Sequence, residues 1–208
     1  MTWRVWKKYA YFILIAYLAV GFFIFPALGA VALVCMLAPV ALAFSRGREW
    51  CGRYCPRGSL WDEVFAKINK GRQIPGWAKS PVFRVFMLVV IFTVFGWQMA
   101  YAWPDPAEIG LVFLRIIFIT TLVGIVLALY YSPRTWCSFC PMGTLASWAA
   151  AGKKPMKIDK TCVKCGLCQK ACPLQLAPHA GGDTFAAADC LKCEKCIEAC
   201  PKKALAFE

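Results

Sequence analysis

Histidine is almost missing from this 208-residue chain, and His179 is the only one. Haem in a membrane bundle is normally held by axial imidazoles, so the apolar part of the chain carries no b-type haem of its own. Acidic residues are scarce too, 11 against 24 Lys and Arg, which leaves a formal charge of +13. That balance can mark a nucleic-acid binder. Here the basic residues gather beside apolar stretches, where the bias of cytoplasmic loops toward Lys and Arg accounts for them; no nucleic acid is expected, and anionic membrane lipid is. Charge of either sign is absent from Tyr9 to Phe44. That run is far too long for a cleaved secretory signal and lacks a convincing small-residue cleavage site.

Apolar residues are what the chain has in excess: 60% of it is hydrophobic and its mean hydropathy is +0.56. Most of it therefore belongs in lipid. As one helix the uncharged run would be about 54 Å long, against a hydrocarbon core of about 30 Å, so it must fold back. Pro26 and Gly29 mark the break, giving spans near 9–25 and 28–44. Arg4, Lys7 and Lys8 before the run share a side with Arg46, Arg48, Arg53 and Arg57 after it. A third span covers 82–102, Trp103-Pro104-Asp105-Pro106 turns outside without a basic residue, and a fourth runs from Ile109 to Tyr131. Four crossings put both termini inside.

Thirteen cysteines would suggest a disulfide scaffold in a short secreted chain. Their spacing says otherwise. Cys162-x-x-Cys165-x-x-Cys168-x-x-x-Cys172-Pro173 is followed by Cys190-x-x-Cys193-x-x-Cys196-x-x-x-Cys200-Pro201. Each CxxCxxC wraps three thiolates onto one iron–sulfur cube, and the fourth ligand comes from the other run. Cys162, Cys165, Cys168 and Cys200 then hold one [4Fe–4S] cluster, and Cys190, Cys193, Cys196 and Cys172 the second. Zinc takes two spaced pairs per site and fits less well. Disulfides need an oxidising compartment. His179, between the runs, reads as a surface or packing residue, and Cys35, inside the second span, as a small core hydrophobe.

Two further cysteine pairs lie at the inner ends of the spans. Trp50-Cys51-Gly52-Arg53-Tyr54-Cys55-Pro56-Arg57-Gly58-Ser59-Leu60 follows the second span, and Trp136-Cys137-Ser138-Phe139-Cys140-Pro141-Met142-Gly143-Thr144-Leu145 the fourth. After each comes an amphipathic segment expected to lie on the membrane surface. In the first, Ser59 and Asp62 read as a capping box, Leu60, Trp61, Val64, Phe65 and Ile68 share a face, and Lys67 and Lys70 lie opposite; in the second, Leu145 and Trp148 carry the pattern. Residues 71–80 read as a loop. The halves repeat in parallel about an axis along the membrane normal. Cys51, Cys55, Cys137 and Cys140 are then expected to meet beneath the ferredoxin. Four such thiols suit a third cluster, a copper ion or a redox-active dithiol, and small packing residues are the plain alternative. Arg115 is the strong charge well inside a span, with Asp105 and Glu108 as candidate partners. With Trp97, Gln98 and Tyr101 it reads as a quinone pocket or as a snorkelling side chain.

The fold class expected is an α-helical membrane protein of four transmembrane helices in a two-fold parallel repeat, residues 1–152, followed by a bacterial-type 2[4Fe–4S] ferredoxin α+β domain, residues 153–208. Two C-x-x-x-C-P-like membrane loops ahead of paired CxxCxxCxxxCP runs resemble the NapH-type membrane ferredoxins, the quinol dehydrogenase membrane component of periplasmic nitrate reduction. The same plan is similar to the NosR-type and CcoG-type polyferredoxins. Cys51, Cys55 and Pro56 match the first loop motif. Cys137 to Cys140 has one residue fewer between its cysteines, and the outer turn between spans one and two is shorter than the family plan. The resemblance implies a bacterial cytoplasmic (inner) membrane protein with both termini and the ferredoxin cytoplasmic. It would transfer electrons between the quinone pool and other redox subunits of a respiratory complex. A metal reductase or assembly factor handling copper is the alternative from another class, and a membrane anchor with a passive ferredoxin a third.

Overall fold

The computed structural model describes residues 3–69 and 72–207; Lys70 and Gly71, assigned above to the first amphipathic segment and its loop, lie outside the described residues. Helix α1 (Trp3–Phe23) ends just before Pro26, whose ring cannot continue it. A 3-10 turn (Pro26–Val31) reverses the chain into α2 (Ala32–Arg46). Then follow a π turn (Trp50–Tyr54), α3 (Pro56–Leu60), a second π turn (Trp61–Phe65), α4 (Ala66–Ile68) and α5 (Gly76–Lys79). Helices α6 (Pro81–Ala102) and α7 (Pro106–Tyr130) are joined by the Trp103–Asp105 turn, where Asp105 caps α7 by accepting from the Ala107 amide at 2.9 Å. Short helices α8 (Thr135–Phe139) and α9 (Pro141–Ala149) complete this part. Proline opens α3, α6, α7 and α9, the position where its missing N–H costs nothing.

Four stretches, Trp3–Phe23, Pro26–Arg46, Pro81–Ala102 and Pro106–Tyr130, are long and apolar enough to cross a membrane. Their ends away from the cysteine segments meet through glycine. A Cβ on Gly29 would lie 2.0 Å from the Gly110 carbonyl oxygen, and one on Gly110 would lie 2.0 Å from that of Pro26, so only bare backbone permits this approach. Tyr17 seals the same corner by donating to the Gly29 carbonyl at 2.8 Å.

The remainder is a small α+β unit. Strand β1 (Met156–Ile158) lies between β2 (Thr184–Phe185) and β3 (Leu205–Phe207), antiparallel to both, with Met156 opposite Phe185 and Phe207. Helices α10 (Leu167–Ala171) and α11 (Lys195–Glu198) pack against one another beside it.

Residues 71–80, read above as a loop, hold the one-turn helix α5 (Gly76–Lys79), and the amphipathic segment before them also needs correction. The face from Pro56 to Phe65 is not free to lie on a membrane surface: Trp61 is fully buried and Phe65 nearly so, packed on Ala128 of α7, while Ile68 at the end of the segment stays exposed. Nor do Ser59 and Asp62 form a capping box. The Ser59 hydroxyl, itself buried, donates to the Lys7 carbonyl and accepts from the Tyr11 amide at 3.2 Å, tying α3 to α1, while Asp62 is committed to ion pairs. The helix-face pattern was real, but α1 and α7 supply the surface it covers.

Candidate metal centres

Cys162, Cys165, Cys168 and Cys200 line one small cavity, and Cys172, Cys190, Cys193 and Cys196 line another. The backbone around each is shaped alike. Lys164 and Gly166, either side of Cys165, have φ of +52° and +75°, and Lys192 and Glu194, either side of Cys193, have +54° and +63°. Left-handed residues alternating with ordinary ones turn successive N–H groups inward, a concavity suited to an anionic cluster. Lysine and glutamate tolerate this conformation poorly, so a purpose other than local propensity holds them there. His179 is not a bystander: it lines the first cavity, with Nδ1 3.6 Å from Cys168 Sγ.

The membrane-proximal thiols also converge. Cys51, Cys55, Cys137 and Cys140 line a single cavity of about 270 Å³ enclosed by the spans and the two Cys-Pro segments. Cys55 and Cys140 take the same extended conformation ahead of a helix-opening proline, with ψ of 118° and 129°. The unequal spacing of the pairs has a local explanation. The Cys140 amide donates to the Trp136 carbonyl across an α turn, and the Cys55 amide donates to the Trp50 carbonyl across a π turn, both at 2.9 Å. The π turn absorbs the additional residue and returns the second cysteine to the same place relative to its tryptophan.

Two arginines hold the pairs together, each reaching across. Arg48, three residues before Cys51, donates to the Cys137 carbonyl at 3.0 Å. Arg134, three residues before Cys137, donates to the Cys51 carbonyl at 3.2 Å and approaches Cys137 Sγ at 3.4 Å. Both are 1% exposed. Glycine makes room for them: a Cβ on Gly143 would lie 2.6 Å from Arg48 Nη2, and one on Gly58 would lie 2.9 Å from Arg134 Nη1. These arginines escaped the sequence reading, although the signal was there in Arg48-Glu49-Trp50-Cys51 and Arg134-Thr135-Trp136-Cys137, an R-x-W-C ahead of C-P-x-G in both halves.

Arg48 also binds the ferredoxin unit directly, and Arg134 is linked to it through Asp62. Arg48 pairs with Asp189 at 2.9 Å, where Arg84 joins at 2.7 Å and Ser147 donates at 2.9 Å. Asp62 receives Arg134 at 2.8 Å, Lys7 at 2.5 Å and Lys195 at 3.3 Å. Burial alone would raise the Asp62 pKa, but Arg134, Lys7 and Lys195 outweigh it and hold the carboxyl well below the usual carboxylate range. Arg53 donates to the Lys192 carbonyl at 3.0 Å and to Glu194 at 2.7 Å. Gly52 sits so close to the second cysteine run that a Cβ there would lie 2.0 Å from the Leu191 carbonyl oxygen. Leu191, Leu174, Trp136 and Phe139 belong to one buried core, against which Cys51, Cys137 and Cys140 of the membrane set and Cys172 and Cys193 of the second set all pack. Cys196 belongs to the next core, with Cys168, Cys162 and Cys200. The three thiol sets thus form a row.

Burial, followed by the neighbouring sulfurs, pushes Cys55 and Cys196 up to about 12 and raises Cys51, Cys172 and Cys190 as well. A positively charged metal core is what converts such thiols to thiolates. Among the described residues no three His, Cys, Asp or Glu side chains stand at the spacing that holds a single metal ion; four thiolates around a cube stand further apart than four around one ion. The large cavity adds a second fit. Four buried N–H groups without an acceptor belong to other residues lining it: Arg48 Nε and the indoles of Trp50, Trp61 and Trp136. Each such donor costs about 1–3 kcal/mol unless something accepts from it, and a sulfide-rich anionic core does.

A family model described as a 4Fe-4S binding domain matches twice, over residues 28–75 and 112–158, and one described as a 4Fe-4S dicluster domain matches residues 154–201. The chain carries 4Fe–4S ferredoxin-type domains. It is 28% identical over 159 residues to the "Uncharacterized protein MJ0750" of Methanocaldococcus jannaschii, covering 66% of this chain and 63% of that protein. It is 28% identical over 155 residues to "Uncharacterized protein MJ0749" of the same organism, covering 69% of this chain and 58% of the relative. The chain thus spans about three fifths of the length of the curated relatives it matches. No solved structure matches it.

The remaining candidates lie elsewhere. Arg115 is half exposed and 3.9 Å from Glu108, Trp97 and Tyr101 stack 5.5 Å apart on an exposed face, and neither they nor half-buried Gln98 line the cavity. Cys35 is exposed rather than in the core, and it does line the cavity.

Proposed function

We propose that this chain is a membrane-bound iron–sulfur electron-transfer subunit of the NapH type, relaying electrons between the quinone pool and a respiratory redox partner. In this reading Cys162, Cys165, Cys168 and Cys200 hold one [4Fe–4S] cluster, Cys190, Cys193, Cys196 and Cys172 the second, and Cys51, Cys55, Cys137 and Cys140 a third. The observation that carries it is the row of three thiol sets joined by shared apolar cores. Each bound cube supplies one reversible electron. The protein keeps water out with Trp136, Phe139, Leu174 and Leu191, offers inward N–H groups, and fixes the spacing through the Asp189 and Asp62 pairs. A cluster rather than copper at the membrane thiols is supported by the two matches of the 4Fe-4S binding description, which span both Cys-Pro segments. The same two matches favour a parallel two-fold repeat of the membrane part. Arginine and lysine at one end of all four spans favour a bacterial inner membrane with the termini and ferredoxin unit on its cytoplasmic side.

Iron, acid-labile sulfide and copper in anaerobically purified protein test this. About twelve Fe with matching sulfide and no copper is the expected result. About eight Fe with stoichiometric copper would replace it with the copper assembly role, and an iron-free protein would end it.

A further inference from the structure

The large cavity is longer than a cluster requires. At one end are the four thiols; toward the other it is lined by Tyr17 of α1, Met36 of α2, Phe95 of α6 and Phe113 of α7. Phe113 stands seventeen residues before Tyr130, where α7 ends, a distance of about 26 Å along the helix. This deep part sits among spans long enough to cross a membrane. Ile13, Val31, Cys35 and Phe92 line it while remaining exposed on the helix surface, so an occupant enters sideways, from where lipid lies.

Its walls define that occupant. Among the described residues no acidic side chain lines the cavity, and its deep polar groups are spent: the Tyr17 hydroxyl on Gly29 at 2.8 Å and the Thr120 hydroxyl on Ile116 at 2.6 Å. Arg57 is different. Two residues after Cys55, its guanidinium lies 5.2 Å from the Trp136 ring centre, and its buried Nε and Nη2 have no acceptor. A fixed cation with free donors at the edge of an apolar, aromatic-walled cavity calls for a flat, lipid-soluble molecule that accepts hydrogen bonds. An acyl chain has no acceptor, and a lipid phosphate belongs at headgroup depth.

We infer that this cavity binds a lipid-soluble quinone, its head ring at the thiol end with Arg57 donating to a ring oxygen and its apolar chain running along Phe92 toward Phe95 and Phe113. The site rests on the electron-transfer reading above and moves its lipid-soluble carrier from the outer end, at Arg115, to the edge of the membrane thiols.

Three tryptophans of the lining, Trp50, Trp61 and Trp136, report on it. Titration of the iron-loaded, full-length protein in detergent with a short-chain benzoquinone is expected to quench tryptophan emission saturably. Arg57→Leu should weaken binding roughly tenfold or more, as expected for loss of a charge-assisted hydrogen bond. Arg57→Lys should recover part of it, Ile117→Trp should abolish it by filling the cavity, and Arg115→Leu should leave it unchanged, with iron and sulfide counted for each protein. If Arg57→Leu does not fold, Ile117→Trp decides. Loaded protein that quenches only linearly, or an Ile117→Trp variant that binds as the parent does, overturns the site and leaves the relay standing. Iron-free protein that still binds quinone through Arg57 sinks the relay and keeps the site.

Discussion

Replacing Asp62 with Asn should cost this protein a large part of its stability. The carboxylate is 2% exposed and is shared by three cations from three parts of the chain: Lys7 in α1, Arg134 after α7 and Lys195 in the ferredoxin unit. Asparagine keeps the shape and removes the charge, leaving Arg134, 2% exposed, and Lys7, 9% exposed, without a counter-ion. Breaking a buried pair in this way costs about 3–5 kcal/mol, against a total of about 5–15 kcal/mol for an ordinary domain. Lys195, at 35% exposed, is partly solvated and adds little. The assay is thermal unfolding of the loaded protein in mild detergent. Acid supplies an independent check. The folded-state carboxyl titrates below its ordinary value, so its contribution is present above the ordinary carboxylate pKa of about 4 and is lost as pH falls through the folded value. The parent should therefore lose stability in that acid range with a slope that Asp62→Asn lacks. A variant within about 0.5 kcal/mol of the parent at neutral pH, with the same acid slope, would refute the reasoning.

Other perturbations read different parts of the same assembly. Gly52→Ala places a methyl against the Leu191 backbone and should destabilise the contact between the membrane part and the second cysteine run by about 1–3 kcal/mol, visible as a lowered unfolding midpoint. Cys55→Ser combined with Cys140→Ser should lower the iron count from about twelve to about eight per chain; an unchanged count would reduce these cysteines to packing residues. Arg48→Lys and Arg134→Lys keep the charge but lose the forked reach to carbonyl and carboxylate, and should weaken loading of the membrane centre by about 10–100-fold in reconstitution titrations while the two ferredoxin centres load normally.

The spans and the cysteine runs were legible because each is written in consecutive residues. An uncharged stretch too long for one crossing must break, and Pro26 says where. The arginine clamps were missed although each stands in the same R-x-W-C, because Arg48 and Arg134 act on the half of the chain they do not belong to, and a sequence does not show what a side chain reaches across to. The π turn at Trp50–Tyr54 was hidden for a related reason: an additional residue between two cysteines looks like a departure until the carbonyl its second amide reaches is known. Ser59 and Asp62 misled in the opposite direction. Their spacing fits a helix cap, but α1 and Arg134 offer them stronger partners, and tertiary contacts override a local motif. Cys35 reads as a core residue from hydropathy alone, since lipid-facing, cavity-lining and core positions in a span share one composition.

Which cysteine run faces the membrane part is decided by charge. The cysteine-bearing ends of the spans present Arg4, Arg48, Arg53, Arg84 and Arg134. The second run carries Asp189, Glu194 and Glu198 beside its cysteines, and each pairs with one or more of those arginines. The first run offers Lys160, Lys164 and Lys170, all exposed, so the orientation that would dock it instead sets cation against cation. Twin loops of identical cysteine spacing are thereby given an order: Cys172, Cys190 and Cys193 beside the membrane thiols, and Cys162, Cys165 and Cys168 turned outward. There Cys165 stays exposed beside Val163, 63% exposed, and Leu167, 42% exposed. Sulfur ligation alone leaves the direction of the row undetermined; the acidic residues flanking one of two equivalent loops fix it.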